Sequence, residues 1–250
     1  MKRIIVRADD LGYSKGVNYG IADSVKNGII RSVGVMVNMP DTVHGLELLK
    51  DVPVCYGLHT NICVGRPLTP PERISSLVDE QGNFKSSRVY RAAKEDFVVL
   101  DEVVLEIEAQ YHRFVELTGE KPRYFEGHAV SSANFFKGME LVAAKHGCDY
   151  LGLSFGSAVR FRNTNLMPVL ESWKEDYDPM ATLRNCALKD YPEKTVPMMI
   201  CHPGYLDAYI MRTSSMQKPR VLELEMACDA RTAAWLKEHD LQVITYDDIT

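Results

Sequence analysis

Four short apolar runs of the sequence end in side chains that bind metal ions or move protons. Asp9 and Asp10 end the first run, His59 the second, His128 the third and His202 the fourth. Carboxylates and neutral imidazoles are ligands of divalent cations, and both groups act as general acids and bases. One carboxylate with two imidazoles would leave coordination positions free for water and substrate, which is typical of a catalytic metal rather than a structural one. We therefore expect metal-assisted chemistry if the fold brings these positions together.

The stretches between these residues predict an α/β protein. Short apolar runs alternate with longer amphipathic ones, a pattern typical of parallel strands joined by helices. We count seven or eight mainly parallel strands, which at 250 residues suits a (β/α) barrel. The carboxyl ends of the strands share one rim of such a barrel, and active sites lie there. Side chains some 50 to 75 residues apart in sequence can therefore meet.

Two parts of the chain depart from this regular alternation. Residues 65–95 are rich in proline and polar residues and are too long for an ordinary connection, so we predict an inserted loop or lid there. The pattern is weak over 156–195, which lies between predicted strands at 150–153 and 196–200. A polar loop and a predicted helix at 220–238 follow. We find no internal repeat and no clear linker, and expect a single domain over residues 1–250.

The composition excludes several classes of protein. Lys and Arg number 29 against 34 Asp and Glu, a net charge of −5, so the chain lacks the basic surplus that nucleic-acid binding needs. No apolar run approaches the roughly 20 residues that span a bilayer. The opening MKRIIVRADD is typical of a strand rather than of a signal peptide, and the six cysteines form no CxxC pair, which favours reduced thiols. We expect a cytoplasmic protein that binds neither nucleic acid nor membranes.

The two adjacent aspartates need not share one role, because successive strand side chains point to opposite faces. One can hold the metal while the other takes a proton from water that the metal has acidified. Simpler alternatives exist: an Asp-Asp pair also caps turns and helices, and a histidine after an apolar run is often only a boundary residue. Cys201 beside His202 suggests a thiol nucleophile, but alternation places that thiol in the wall of its strand. The remaining histidines are expected to be structural or solvent-facing: His44, His112, His146 and His239.

Several motifs occur in a specific order along the chain. They are Ala8-Asp9-Asp10-Leu11-Gly12, Gly57-Leu58-His59-Thr60-Asn61, His202-Pro203-Gly204-Tyr205, Arg220 with Glu223-Leu224, and Tyr246-Asp247-Asp248-Ile249. Over nearly the whole chain they resemble the YdjC-like carbohydrate deacetylases. The resemblance implies a distorted (β/α) barrel that removes N-acetyl groups from small acetylated amino sugars, such as chitooligosaccharides, in carbohydrate degradation. It also implies a homodimer and a divalent metal, with magnesium expected first and zinc or another transition metal as the alternative.

The resemblance assigns roles position by position. Asp10, His59 and His128 would be the metal ligands. Asp9 would be the general base, and His202 the general acid for the leaving amine.

Further residues are expected to contact the sugar. These are Tyr205, Asp207 and Arg212, together with the segment 65–95.

Around His128 the sequence departs from the family pattern. The family has Asp-Ser-His-x-His-x-His, whereas this chain has Glu126-Gly127-His128-Ala129-Val130-Ser131-Ser132. The first histidine is kept, Glu126 replaces the aspartate, and both later histidines are missing. The three metal ligands that the resemblance implies are kept. The substrate specificity and the groups that support the metal ligands are where this chain is expected to differ from the family.

We expect hydrolysis of an acetamido group on a small sugar, and two alternatives stay open. One is a metal-dependent barrel hydrolase that acts on a non-sugar amide, ester or phosphoester. The other is a sugar-binding relative without enzymatic activity, which the missing histidines motivate.

Overall fold

The computed structural model describes residues 2–154 and 156–249, which form a curled, mainly parallel sheet. Its strands are β1 (Lys2–Leu11), β2 (Ser32–Val35), β3 (Cys55–Thr60), β4 (Phe125–Gly127), β5 (Val159–Phe161), β6 (Thr164–Val169), β7 (Thr195–Cys201) and β8 (Leu241–Ile244). They lie in the order β4-β3-β2-β1-β7-β6-β5, with β8 paired to β1. The β5–β6 ladder is antiparallel and the others are parallel. The predicted distorted barrel of seven or eight mainly parallel strands is confirmed.

Helices connect these strands and pack on the sheet. They are α1 (Lys15–Lys26), α2 (Thr42–Leu49), α3 (Ser87–Ala92), α4 (Leu100–Thr118), α5 (Ala133–His146), α6 (Pro179–Leu188), α7 (Ala208–Thr213), α8 (Lys218–Cys228) and α9 (Ala230–Glu238). Short 3-10 turns lie at Pro71–Arg73 and Tyr246–Asp248. Over 2–154 and 156–249, none of the helices has both the length and the apolar character needed to cross a bilayer.

The ten-residue strand β1 separates two apolar cores. Val6 and Ala8 pack in the larger core with residues of the surrounding helices, whereas Ile5 packs with Tyr246 in a smaller one. Because alternate strand residues face opposite sides of a sheet, the smaller core fills the concave interior of the barrel. Arg7 continues this interior series, and its Nη1 donates a hydrogen bond to the Tyr246 hydroxyl at 3.2 Å. The interior is therefore apolar at its base and charged toward its rim.

Two predicted elements differ in the structure. Residues 150–153 are not a strand: Tyr150 makes an isolated parallel bridge with Phe125, and the chain then leaves the sheet to line a cleft. The predicted helix 220–238 is two helices, because Asp229 between α8 and α9 has an extended backbone and its side chain accepts the Arg231 backbone N–H. The weak region 156–195 contains β5, β6 and α6, which the sequence pattern did not reveal.

The inserted segment 65–95 is held against α4 by two carboxylates, of which Glu106 is buried and Glu102 is partly exposed. Glu106, on α4, accepts the backbone N–H groups of Leu68 at 3.1 Å and Thr69 at 2.9 Å. One helical turn earlier, Glu102 accepts the Ser76 backbone N–H at 2.7 Å. These bonds fix the first half of the segment, and α3 lies in its second half.

The contact between α1 and the loop after β7 yields a stability prediction. A Cβ on Gly20 would overlap the backbone of Gly204, and backbone cannot rotate away as a side chain can. Gly20→Ala should therefore destabilise the fold by about 1–3 kcal/mol, although alanine gains up to about 1 kcal/mol over glycine in a helix. Urea unfolding measures the difference.

A matched control is Gly138→Ala in α5. There the added Cβ would meet the end of the Ile107 side chain, which can move, so a smaller cost is expected. A Gly20→Ala protein as stable as the wild type would contradict the packing described for α1.

Candidate metal centre and active site

The carboxyl end of β1 carries Asp9 and Asp10 in two different environments. Asp9 continues the interior series of the strand and pairs with Arg7. Asp10 has a positive φ of 80°, and the β1–β2 register shifts between Ala8 and Leu11, so the strand bulges at this point. A bulge re-aims a side chain that regular alternation would send to the other face. Both aspartates consequently line the same cleft, although strand alternation predicts opposite directions for them.

Three potential ligand atoms converge at the rim of the barrel. Asp10 Oδ1 lies 3.1 Å from His59 Nε2 and 3.0 Å from His128 Nδ1, and the two ring nitrogens are 3.0 Å apart. Neighbouring ligands of an octahedral dication with bonds of ~2.1 Å are separated by about 3.0 Å. The near-equilateral triangle thus fits three neighbouring ligands of one such ion, and all three residues line the cleft.

The sheet register explains how these ligands meet. His59 lies in β3 directly opposite Glu126 of β4, and His128 follows β4 by one residue. The His128 backbone N–H donates to the Thr60 carbonyl at 2.8 Å, which continues the β3–β4 pairing beyond the end of β4. Adjacent parallel strands therefore supply both imidazoles, and β1 supplies the carboxylate from two strands away.

Glu126 fixes the tautomer of His59. The His59 Nδ1–H donates to Glu126 Oε1, so the Nε2 lone pair is directed at the ligand triangle. A carboxylate behind a histidine ligand orients the ring and raises its basicity. The residue that departs from the family pattern thus supports the predicted ligand His59.

Two buried arginines balance the carboxylates of the site. Arg7 Nη2 donates to Asp9 Oδ2 at 2.8 Å and to Glu126 Oε2 at 3.1 Å. Arg7 therefore connects Asp9 to Glu126, the residue that orients the His59 ring. Arg220 Nη2 donates to Asp10 Oδ2 at 2.6 Å, which leaves Oδ1 for the ligand triangle. All of these side chains are buried, where an unpaired charge would be strongly destabilising.

These surroundings give the two aspartates different pKa values. Burial raises the pKa of Asp9 to about 6, and Arg7 only partly opposes it. The pKa of Asp10 is held well below its usual range: His128, Arg220 and the hydrogen bonds to Asp10 overcome the effect of burial. Asp9 Oδ1 has no hydrogen-bond partner among the described residues. Asp9 is therefore a buried carboxylate with one unpaired oxygen.

The two imidazoles respond to the same carboxylates. Burial disfavours the charged form of His128, but Asp10 outweighs burial and raises the pKa of His128 to about 9. The pKa of His59 is also raised, against burial, by Glu126 and Asp9. Since a histidine must lose its proton to bind a metal, protons and a dication compete for this pair.

His202 follows β7 and lines the same cleft. Its backbone N–H donates to Glu223 Oε2 at 2.6 Å, and its ring Nδ1 has no hydrogen-bond partner in the described part of the chain. Burial lowers the pKa of His202 to about 3, so the ring is neutral near pH 7. The structure thus places His202 at the site with a free ring nitrogen.

A cleft of about 1190 Å³ opens above these residues. Three exposed arginines lie on its rim: Arg88 and Arg91 on α3, and Arg212 on α7. An apolar wall includes Phe136, Met139, Leu151, Leu153, Leu170 and Met198. A mixed apolar wall with a few polar groups is typical of small-molecule sites.

Of the three predicted sugar contacts, the structure places only Arg212 on the cleft. The Tyr205 hydroxyl donates to Asp23 Oδ2 at 2.7 Å, on the α1 side. Asp207 caps α7, because its carboxylate accepts the backbone N–H groups of Tyr209 and Ile210, and it also accepts that of Gly16. Tyr205 and Asp207 thus tie the loop before α7 to α1.

A buried polar network positions the chain that follows His59. Gln110, on α4, accepts the Asn61 backbone N–H at 3.0 Å and donates to the Asn61 carbonyl at 2.6 Å. Gln110 also donates to Glu106, the residue that holds backbone N–H groups at 68–69. One helix face therefore sets both the end of β3 and the start of the inserted segment.

Sequence reasoning did not assign roles to Arg7, Glu126, Arg220 or Glu223. A signal was present for Arg7, since a charged residue inside the apolar run of a buried strand requires a charged partner. Arg220 and Glu223 lay in a motif of the resemblance, but their distance in sequence from Asp10 and His202 concealed which groups they contact.

The fold and the cluster define a class: an α/β-barrel protein with a candidate catalytic metal centre at the rim. The YdjC-like protein model matches residues 3–238, and the chain belongs to that family, as the motifs predicted.

Similar proteins match along their whole length. "Carbohydrate deacetylase 2" of Listeria innocua is 32% identical over 99% of this chain and 98% of its own length. "Chitooligosaccharide deacetylase" of Citrobacter koseri is 29% identical over 98% of each chain. A crystal structure from Enterococcus faecalis V583, of a protein described only provisionally as a cellobiose-phosphate cleavage protein, has a TM-score of 0.84 and 20% identity over 100% of this chain and 99% of its own. This last likeness concerns the fold alone.

The support of His59 by Glu126 yields a prediction about metal affinity. Glu126→Ala removes the acceptor of the His59 Nδ1–H and should weaken metal binding at the triangle by about 10–100-fold. Glu126→Gln keeps an acceptor oxygen and should lose less. Competition with a chelator of known affinity measures the change. The exposed residue Glu120 provides the control Glu120→Ala, and equal affinities in all four proteins would contradict the role of Glu126.

Glu223 yields a prediction about pH and stability. Burial raises its pKa to about 7 from 4.5, so between these values the folded protein holds a proton that the unfolded chain has lost. The contribution of this group to stability is complete below about pH 4.5 and is lost as the pH rises through about 7, at most about 3 kcal/mol in total.

The variant Glu223→Gln isolates this contribution. Gln cannot titrate, and the Tyr177 hydroxyl, which now donates to Glu223 at 2.7 Å, can accept from the amide instead. Urea unfolding from pH 4.5 to 8 should show wild-type stability falling relative to the variant. Parallel curves for the two proteins would contradict the raised pKa.

Proposed function

We propose that the protein hydrolyses the N-acetyl group of acetylated amino sugars, chitooligosaccharides among them, with a divalent metal held by Asp10, His59 and His128. The observation that carries the proposal is the ligand triangle beside Asp9, a buried carboxylate with one free oxygen. The names of the similar deacetylases support the substrate class. The reaction consumes one water and releases acetate and a free amine.

A dication at the triangle would polarise the acetyl carbonyl and lower the pKa of water. Magnesium was expected first from the resemblance. Two imidazole nitrogens among three donors favour a transition ion such as Zn²⁺, Co²⁺ or Ni²⁺, because Mg²⁺ prefers oxygen ligands. A screen of these ions with the metal-free protein decides between them.

Asp9 is the general base in this proposal. A base works best when its pKa lies near the working pH, and burial brings the pKa of Asp9 to about 6. Its Oδ2 is held by Arg7, which keeps the side chain in place while Oδ1 accepts a proton from the attacking water. The pairing with Arg7 therefore orients the base without occupying its reactive oxygen.

His202 is the general acid for the leaving amine. Because its ring is neutral at rest, the proton that it gives to nitrogen must be acquired during the reaction. The proton that Asp9 takes from water is the available source, so one proton travels from the water to the amine. The free ring nitrogen of His202 faces no competing protein partner among the described residues.

The sugar occupies the cleft between the inserted segment and α7. Arg212 contacts it directly in this proposal, and α3 at residues 87–92 supplies the opposite rim. Asp207 and Tyr205 act by fixing the loop that carries α7, which positions Arg212. The single domain, the homodimer and the cytoplasmic location expected from the sequence stay predictions for limited proteolysis, sizing and fractionation to test.

Acetate release from N,N'-diacetylchitobiose tests the mechanism. Asp9→Asn should lower kcat by about 10²–10⁴-fold while the metal content is retained, because Asp9 is not a proposed ligand. His59→Ala should lose both metal and activity, and a chelator should abolish activity in the wild type. The exposed residue His239, at the end of α9, provides the control His239→Ala.

The outcomes separate the substrate classes. Activity on phosphate esters or non-sugar amides, with none on acetamido sugars, would overturn the substrate proposal and keep the metal centre. Equal acetate release by the wild type, Asp9→Asn, His59→Ala and chelated protein would overturn the mechanism itself.

A further inference from the structure

A second group of potential metal ligands lies away from the cleft, where α4 and α5 pack together. Glu108 and His112 are four residues apart on α4, which puts them on one face of the helix. His146 is the last residue of α5. The residues that line the cleft include none of these three.

One carboxylate oxygen faces both imidazoles. Glu108 Oε2 is 2.8 Å from His146 Nε2 and 3.5 Å from His112 Nε2. The two rings are nearly perpendicular, at 84°, with centroids 5.5 Å apart. The three ligand atoms all lie within 4.8 Å of one another, so a small movement would bring them to one ion.

Glu108 and His146 are largely buried, whereas His112 is exposed to solvent. Tyr111 stacks on His146 with ring centroids 3.8 Å apart, which holds the orientation of the imidazole. The side chains of Glu108 and His146 are 16% and 17% exposed, whereas that of His112 is 67% exposed. An ion could therefore reach Glu108 and His146 from solvent, and His112 could then close on it.

We infer that Glu108, His112 and His146 bind a transition-metal dication such as Zn²⁺ and so link α4 to α5. Two imidazoles and one carboxylate are a donor set that zinc prefers over magnesium or calcium. Since His112 faces solvent, water completes the coordination. This site does not depend on the proposed deacetylase activity.

Lys145 is the competitor of the ion. Its Nζ lies 2.7 Å from Glu108 Oε1 in an ion pair, and its side chain is 65% exposed. A dication at Glu108 would be repelled by this ammonium group. Removing the ammonium should therefore strengthen metal binding, whereas a cluster that serves only as an ion-pair network would gain no metal affinity from the change.

Zinc binding by equilibrium dialysis and metal analysis tests the site. His112→Ala should bind one equivalent fewer than the wild type, and Lys145→Ala should bind that equivalent at least several-fold more tightly. Zinc should raise the Tm of the wild type more than that of His112→Ala. His239→Ala is the matched control for an exposed histidine, and deacetylase activity should be unchanged in all three variants.

The difference of one equivalent is expected whether or not the cleft itself holds a metal. Zinc stoichiometry in His112→Ala therefore tests this inference, whereas acetate release tests the proposed function, and either can fail without the other. The same zinc stoichiometry in His112→Ala and the wild type would overturn the inference, and so would an unchanged affinity in Lys145→Ala.

Discussion

The site depends on the balance of charge that three carboxylates impose inside the rim of the barrel. Asp9, Asp10 and Glu126 are each at most 5% exposed, and burial of such groups is unfavourable unless they are paired. Arg7 and Arg220 supply two positive charges in direct contact with them. With neutral imidazoles, Arg220 balances Asp10, whereas Asp9 and Glu126 share Arg7 and keep one unit of negative charge between them. A dication beside His59 would offset that charge.

The fold serves this arrangement through the geometry of its strands. The bulge at the end of β1 turns Asp10 to the ligand triangle while Asp9 stays in the interior series. Gly34 in β2 leaves room for these groups, since a Cβ there would come within 3.0 Å of Asp9 Oδ1 and 3.2 Å of His59 Cβ. A larger residue at position 34 would push Asp9 and His59 apart.

The strand ends and their convergence could be predicted from the sequence, because a parallel barrel brings the carboxyl ends of distant strands to one rim. The partners of these groups could not. Arg220 contacts Asp10 from 210 residues away, and nothing in local periodicity encodes that pairing. The replacement Glu126 was visible as a departure, but its contact with His59 follows from the β3–β4 register, which the sequence does not show.

The wrong sequence predictions also arise from contacts and backbone conformations that local composition does not show. The apolar residues at 150–153 have the composition of a strand, yet they face the cleft and the second core instead of a ladder. The sequence predicts one helix over 220–238 because the residues around Asp229 have helical composition, and only the extended backbone of Asp229 separates α8 from α9. Tyr205 and Asp207 are polar residues after a strand, as substrate contacts often are, but their side chains are used to hold α1 and α7.

The central claim is that one dication joins Asp10, His59 and His128. Anomalous diffraction from crystals soaked in Zn²⁺ or Co²⁺ tests it most directly. We predict a strong anomalous peak about 2.1 Å from Asp10 Oδ1, His59 Nε2 and His128 Nδ1, with Asp9 outside the coordination sphere. A fully occupied ion elsewhere in the cleft, with no peak between these three atoms, would contradict the account.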